Sequence, residues 1–136
     1  MLFFKSQPPQ IEMSKSDCLL MIQCFVKHKM VSKMQCVIES DRSILIGDII
    51  HTQNRNYNKG YGSLMMKKLI EYTKENGYTL IHGNLSLVDA DHKGRLYHFY
   101  EKFGFIITEF PEPKDCYYGE IRKIITEVCA SSVPNI

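Results

Sequence analysis

No apolar run in this sequence approaches the roughly 20 residues that a helix needs to cross a bilayer, so no membrane span is expected. The opening Met-Leu-Phe-Phe ends at Lys5 and Pro8-Pro9, which is not the apolar core of a signal peptide. A secreted or membrane protein is therefore not expected, and a cytoplasmic one is. No Cys-x-x-Cys pair occurs. The five cysteines, Cys18, Cys24, Cys36, Cys116 and Cys129, are odd in number and spaced for neither a zinc site nor a disulfide framework. They read as reduced and mostly half-buried. A concentrated basic stripe is also missing. Lys and Arg total 17 against 15 Asp and Glu, for a net charge of +2, so no nucleic-acid partner is expected. Neither an internal repeat nor a low-complexity tract is visible.

What is present suits one globular domain. The chain has 136 residues, 44% hydrophobic and 24% charged. That size supports a single core, and that composition argues against disorder. The ends, about residues 1–12 and 128–136, read as flexible tails.

Between them, hydrophobic periodicity predicts a mixed architecture. Leu19 to His28 is rich in β-formers, and Lys33 to Ser40 alternates Met34, Cys36 and Ile38 with polar or exposed neighbours. Ser43 to Thr52 is apolar on both faces, as a central strand would be. Short connections make these three an antiparallel meander. Next come the polar loop Gln53 to Gly62 and a helix whose Leu64, Met65, Met66, Leu69, Ile70 and Thr73 share a face. Gly77 ends it, and Tyr78 to Val88 is a strand. This strand–helix–strand unit makes the third and fourth strands parallel. A second helix carries Leu96, Phe99, Tyr100 and Phe103 as one stripe, with Asp91 as N-cap and Gly104 as stop. Phe105 to Phe110 and Cys116 to Ile125 then close the sheet as a hairpin around the turn Pro111 to Asp115. The fold class is α/β (α+β): a mixed, mostly antiparallel sheet with a central parallel pair and helices packed on it.

The long loop is the segment to explain, because long structured loops in compact domains are usually functional. Gly60 and Gly62 precede the helix, but the third glycine of a dinucleotide fingerprint is replaced by Met65, and no Gly-Lys-Ser/Thr follows. Two readings stay open. One is a glycine turn that starts a helix. The other is an anion site on the unpaired N–H groups and positive dipole of the helix N-terminus.

The segments Tyr57-Asn58-Lys59-Gly60-Tyr61-Gly62 and Phe99-Tyr100-Glu101-Lys102-Phe103-Gly104-Phe105, in this order and separated by a helix and a strand, resemble the GNAT superfamily of N-acetyltransferases. The resemblance runs from about Ile44 to Ile125. Tyr57 stands where that family mostly has Gln or Arg, and Asn58 where it often has Gly. The two helices that the family usually carries between its first two strands, lining the acceptor site, have no counterpart in the sequence pattern.

The resemblance implies acetyl-CoA as co-substrate, no metal, and a small-molecule or peptide amine as acceptor. The coenzyme pyrophosphate would lie on the backbone of Asn58, Lys59, Gly60, Tyr61, Gly62 and Ser63. Its pantetheine arm would follow the strand at Ile50 and Thr52. Tyr100 matches the position that protonates the leaving thiolate, although its place on an apolar stripe also suits plain core. Asp48 shares strand parity with Ile44, Ile46 and Ile50, which predicts a carboxylate in an apolar row whose burial would tune it as a base. His51, His92 and a water-mediated base are the alternatives, and Asp48 also reads as a structural aspartate capping a neighbouring loop. Lys93 and Arg95 open the second helix as phosphate contacts or as a solvated helix start. Exposed edges and the missing acceptor wall suggest a homodimer. The competing function is a non-catalytic module that binds CoA or protein on the same fold.

Overall fold

The computed structural model describes residues 8–53 and 59–126. Seven strands form one sheet in the order β1-β2-β3-β4-β5-β7-β6. They are β1 Gln10–Ser16, β2 Leu19–Val26, β3 Lys29–Ile38, β4 Ser43–His51, β5 Leu80–Ser86, β6 Ile106–Lys114 and β7 Tyr117–Ile124. Helix α1 spans Tyr61–Glu75, a 3-10 helix spans Leu87–His92, and α2 spans Lys93–Lys102. Only β4 and β5 pair in parallel, over Ser43↔Leu80 to Ile46↔Gly83; every other pairing is antiparallel. The expected fold class and its central parallel pair are therefore present.

Strand β1 was not expected. Residues 10–12, assigned by the sequence pattern to a tail, lie in the sheet, where Gln10 opposes Phe25 and Ser16 opposes Leu19. A two-residue turn at Asp17-Cys18, with Asp17 at φ 54, joins β1 directly to β2. No helix stands between these two strands. The second hairpin, β2–β3, turns through Lys27 and His28, both left-handed at φ 52 and 68. At the other end, the predicted turn Pro111 to Asp115 is also revised. Strand β6 continues through both prolines to Lys114, which opposes Tyr117. Because β6 is the sheet's outer strand, their missing N–H groups cost it little.

One face of the sheet carries the core. Leu20, Ile22 and Met34 from the strands meet Met65, Met66 and Leu69 of α1, all fully buried. The α2 stripe folds onto the same side. Tyr100 packs edge-on against Phe99 and Phe105, with ring centroids 5.2 and 5.4 Å apart. Such contacts each add about 0.5–1.5 kcal/mol beyond area burial. Gly77 and Gly104 sit at positive φ, as helix stops require. Asp91 is not the N-cap of α2. That helix begins at Lys93, and Ser86 instead caps the 3-10 helix by accepting from the Val88 N–H.

A bulge in β4 positions everything that follows. Ile49 opposes Met34 and Asp48 opposes Gln35, but Cys36 opposes Ile46. Gly47 is the extra residue. A Cβ there would stand 3.2 Å from the Gln35 carbonyl oxygen, which is why a glycine suits the close approach. Pairing between β4 and β5 ends at Ile46↔Gly83, one residue before the bulge, and the two strands then diverge.

Candidate active site

The diverging strands open a cleft of about 760 Å³. Its walls are the far halves of β4 and β5, the first turn of α1, α2, and the start of β7. An opening at the carboxyl ends of parallel strands is the usual ligand position in α/β sheets.

The first turn of α1 forms one wall. Gly60, Tyr61, Gly62 and Ser63 all line the cleft. Gly60 is the N-cap residue at φ 83, with no side-chain cap, and its carbonyl accepts the first helical bond from the Leu64 N–H at 3.1 Å. The N–H groups of Tyr61, Gly62 and Ser63 precede that bond and so have no intrahelical acceptor. No acidic residue occupies the turn, which leaves the positive helix end open to an anion. The two glycines serve different needs. A Cβ at Gly60 would touch nothing within 4 Å, so its requirement is the left-handed φ. At Gly62 a Cβ would lie 3.2 Å from Phe99 Cε1, so its requirement is close packing of α1 on α2. Lys59 is exposed beside this turn. Asn58 and Tyr57 lie outside the described residues.

On β4 the bulge shifts the predicted parity by one. Asp48 does line the cleft, but it faces the side of the sheet away from the helices, with Gln35, and it is exposed. The buried apolar row of Ile44 and Ile46 continues instead into half-buried Ile49. The expectation of a buried Asp48 is therefore corrected: the row was read through Gly47 as though the strand were regular. The same shift moves the strand backbone. Thr52 directs its N–H to the Val31 carbonyl of β3, at 3.0 Å. Strand alternation sends the backbone groups of Ile50 the same way. Ile50 is 39% exposed, and neither it nor Thr52 lines the cleft. Ile49 and His51 do, with their backbone groups turned toward the divergence.

His51 bonds the buried Ser32, with 2.6 Å between Nδ1 and Oγ. Burial, and then the Arg95 guanidinium, hold its pKa below the ordinary 6.5. It is neutral at physiological pH, with Arg95 across the cleft wall from α2. His92 also lines the cleft. Lys93 turns elsewhere: it pairs with Glu109 at 3.3 Å and lies 4.8 Å from the Tyr118 ring centroid.

Tyr100 forms the floor. It is only 8% exposed, yet it lines the cleft, and its hydroxyl has no hydrogen-bond partner among the described residues. Burial, and then the Asp89 carboxylate and the neighbouring Cys36, raise its pKa well above the usual phenol value. The hydroxyl therefore keeps its proton at every physiological pH. Asp89 was not singled out from the sequence, and neither were Asn84, Ser86, Cys116 and Tyr117, which also line the cleft. Asp89 had been read as part of a loop before α2. No sequence period marks it, because only the 3-10 turn after β5 brings it to Tyr100.

No protein-family model matches the chain. Among curated proteins, it is 37% identical over 65 residues to YocC, an uncharacterised protein of Bacillus subtilis strain 168; the match covers 48% of this chain and 37% of that protein. Solved structures give broader likeness. Ard1 from Thermoplasma volcanium superposes with a TM-score of 0.64 at 21% identity, over 79% of this chain and 71% of its own. A GNAT-family acetyltransferase from Streptococcus pneumoniae gives 0.63 at 20% identity, over 82% and 69%. One from Elizabethkingia anophelis, solved with acetyl-CoA bound, gives 0.60 at 18%, over 82% and 77%. The chain has the fold of the GNAT acetyltransferases.

Proposed function

We propose that this protein is an acyl-CoA-dependent N-acyltransferase that moves an acetyl group from acetyl-CoA directly to an amine. The observation that carries the reading is the hydroxyl of the largely buried Tyr100, without a hydrogen-bond partner among the described residues, at the floor of a cleft whose wall is a helix N-terminus with no side-chain cap. The fold shared with acetyltransferases, including one that binds acetyl-CoA, supports it.

In this reading the pyrophosphate rests on the N–H groups of Tyr61, Gly62 and Ser63, with Gly60, Lys59 and Asn58 on the approach. The pantetheine arm runs along Ile49 and His51, whose backbone groups face the divergence. A neutral amine attacks the thioester carbonyl, since an ammonium has no lone pair to donate. A β4 backbone N–H turned into the cleft would stabilise the oxyanion. The C–S bond then breaks, and the thiolate takes the Tyr100 proton. The phenol can supply it because burial and Asp89 have kept it protonated. The amine loses its proton through the polar lining to solvent, and the Tyr100 phenolate, its pKa raised, takes one back from solvent. The burial on which Asp48 was to act as base is absent, and its exposed place suits contact with the acceptor better.

Turnover is tested by mixing the protein with acetyl-CoA and a panel of amines and following free thiol. Thiol release matched by acetylated amine supports the reading; none from any amine counts against it. The second reading, a non-catalytic CoA- or protein-binding module, is favoured by one feature, the direct β1–β2 turn that leaves a sheet face without helices. It predicts that acetyl-CoA raises the melting temperature while no thiol appears.

A further inference from the structure

The charges lining the cleft are sorted. The lining cations among the described residues, Arg95 and Lys102, both come from α2, and neutral His51 stands at the end of β4 beside Arg95. These line the side that includes the α1 N-terminus. The two lining carboxylates among the described residues are Asp48 and Asp89, and they stand elsewhere. Asp48 follows the Gly47 bulge on the face away from the helices. Asp89 lies in the 3-10 helix after β5, where its charge acts on Tyr100. They therefore flank the divergence of β4 and β5 from its two strands, together with the neutral polar Asn84, Ser86 and Tyr117.

Neither carboxylate has an ion-pair partner among the described residues. The ion pairs among the described residues are Lys68–Glu71, His82–Glu39 and Lys93–Glu109. Lys33 opposes Ile50 and so sits diagonally from Asp48, but it makes no ion pair with it. A second, independent feature points to a ligand here: the Tyr100 hydroxyl, on a side chain more than nine-tenths buried, lines this same cleft without a partner.

We infer that the acceptor is a small amine carrying a second cationic group, a diamine or polyamine, with Asp48 holding the cation that does not react. This rests on the transferase reading. The reacting nitrogen must be neutral when it attacks, so it cannot be the group that an anionic Asp48 holds in the reactive complex. A second ammonium can be. Asp89, beside Tyr100, belongs to the reacting end, and exposed Asp48 to the solvent end. One cleft then takes two substrates of opposite charge, a polyanionic coenzyme along the α2 side and a cation along the carboxylate side.

Thiol release from acetyl-CoA is compared for 1,4-diaminobutane and 1-aminobutane, which share chain length and differ in the second amine. The diamine should show a kcat/KM at least about tenfold higher, the ratio one retained charge contact supplies. Asp48→Asn should raise the diamine KM, with kcat changed far less, and bring the ratio toward one. Asp48→Glu should restore most of it. Asp48 is exposed, so the variants should fold, and an unchanged acetyl-CoA shift in melting temperature confirms that. Equal kcat/KM for the two amines in the wild type overturns the inference and leaves the transferase reading standing. So does a diamine advantage that survives Asp48→Asn. No thiol release from any amine overturns both.

Discussion

Gly62 lies against Phe99: a side-chain carbon at 62 would stand 3.2 Å from the phenylalanine Cε1. The first turn of α1 and the middle of α2 are thus in direct contact at the edge of the cleft. Gly62→Val should force this contact apart and cost about 1–3 kcal/mol, the usual range for overpacking. Gly60→Ala should cost about 1–2 kcal/mol for a different reason, its left-handed φ of 83. The two are separated by Gly60→Asn, which tolerates that φ and should recover part of the loss in a urea titration. Equal stability of Gly62→Val and wild type would contradict the packing account.

Tyr100→Phe removes a hydroxyl that bonds nothing among the described residues. Stability should therefore change by less than about 0.5 kcal/mol, while turnover falls by roughly 10²–10⁴-fold, the range for a general acid. Acetyl-CoA affinity, read by its melting-temperature shift, should hold. A large loss of stability with unchanged turnover would make Tyr100 plain core.

His51 sets a pH dependence whose sign follows from its environment. Burial and Arg95 depress its pKa in the folded state below 6.5, so the unfolded chain binds the proton more readily. The associated stability is complete above the unfolded value. It is lost as pH falls from there through the folded value. The melting temperature should thus drop between about pH 7 and pH 5.5, and drop less in His51→Gln, which has no titrating ring. Parallel losses in the two proteins would remove His51 as the cause.

The β2–β3 turn holds Lys27 and His28 at φ 52 and 68, where side chains other than Asn or Gly are strained. Replacing the pair with Asn-Gly should stabilise the fold by about 1–2 kcal/mol, seen as a higher urea midpoint with unchanged slope. No gain would mean that the turn is relaxed as it stands.

Long, strongly periodic segments were legible. The α1 face, the α2 stripe and the parallel β4–β5 pair all follow from spacing that a one-dimensional pattern records. Strand β1 escaped because Ile11 and Met13 are its only apolar residues, too few to show alternation. The β4 site residues were misplaced by one because side-chain parity assumes a regular ladder, and Gly47 breaks it. An isolated glycine inside Ser43–His51 was the available signal, since glycine within a strand often marks a bulge. Asp89 was hidden for a different reason. Its nearness to Tyr100 depends on how the chain turns after β5, and no local period encodes that.

The central claim is acyl transfer at the cleft between β4 and β5. The most direct test incubates the protein with acetyl-CoA and 1,4-diaminobutane, then quantifies free thiol and acetylated amine together. The account predicts equal amounts of both, saturable in each substrate and nearly absent with Tyr100→Phe. Acetyl-CoA that stabilises the fold but yields no acetylated product, with this or any other amine, would contradict it.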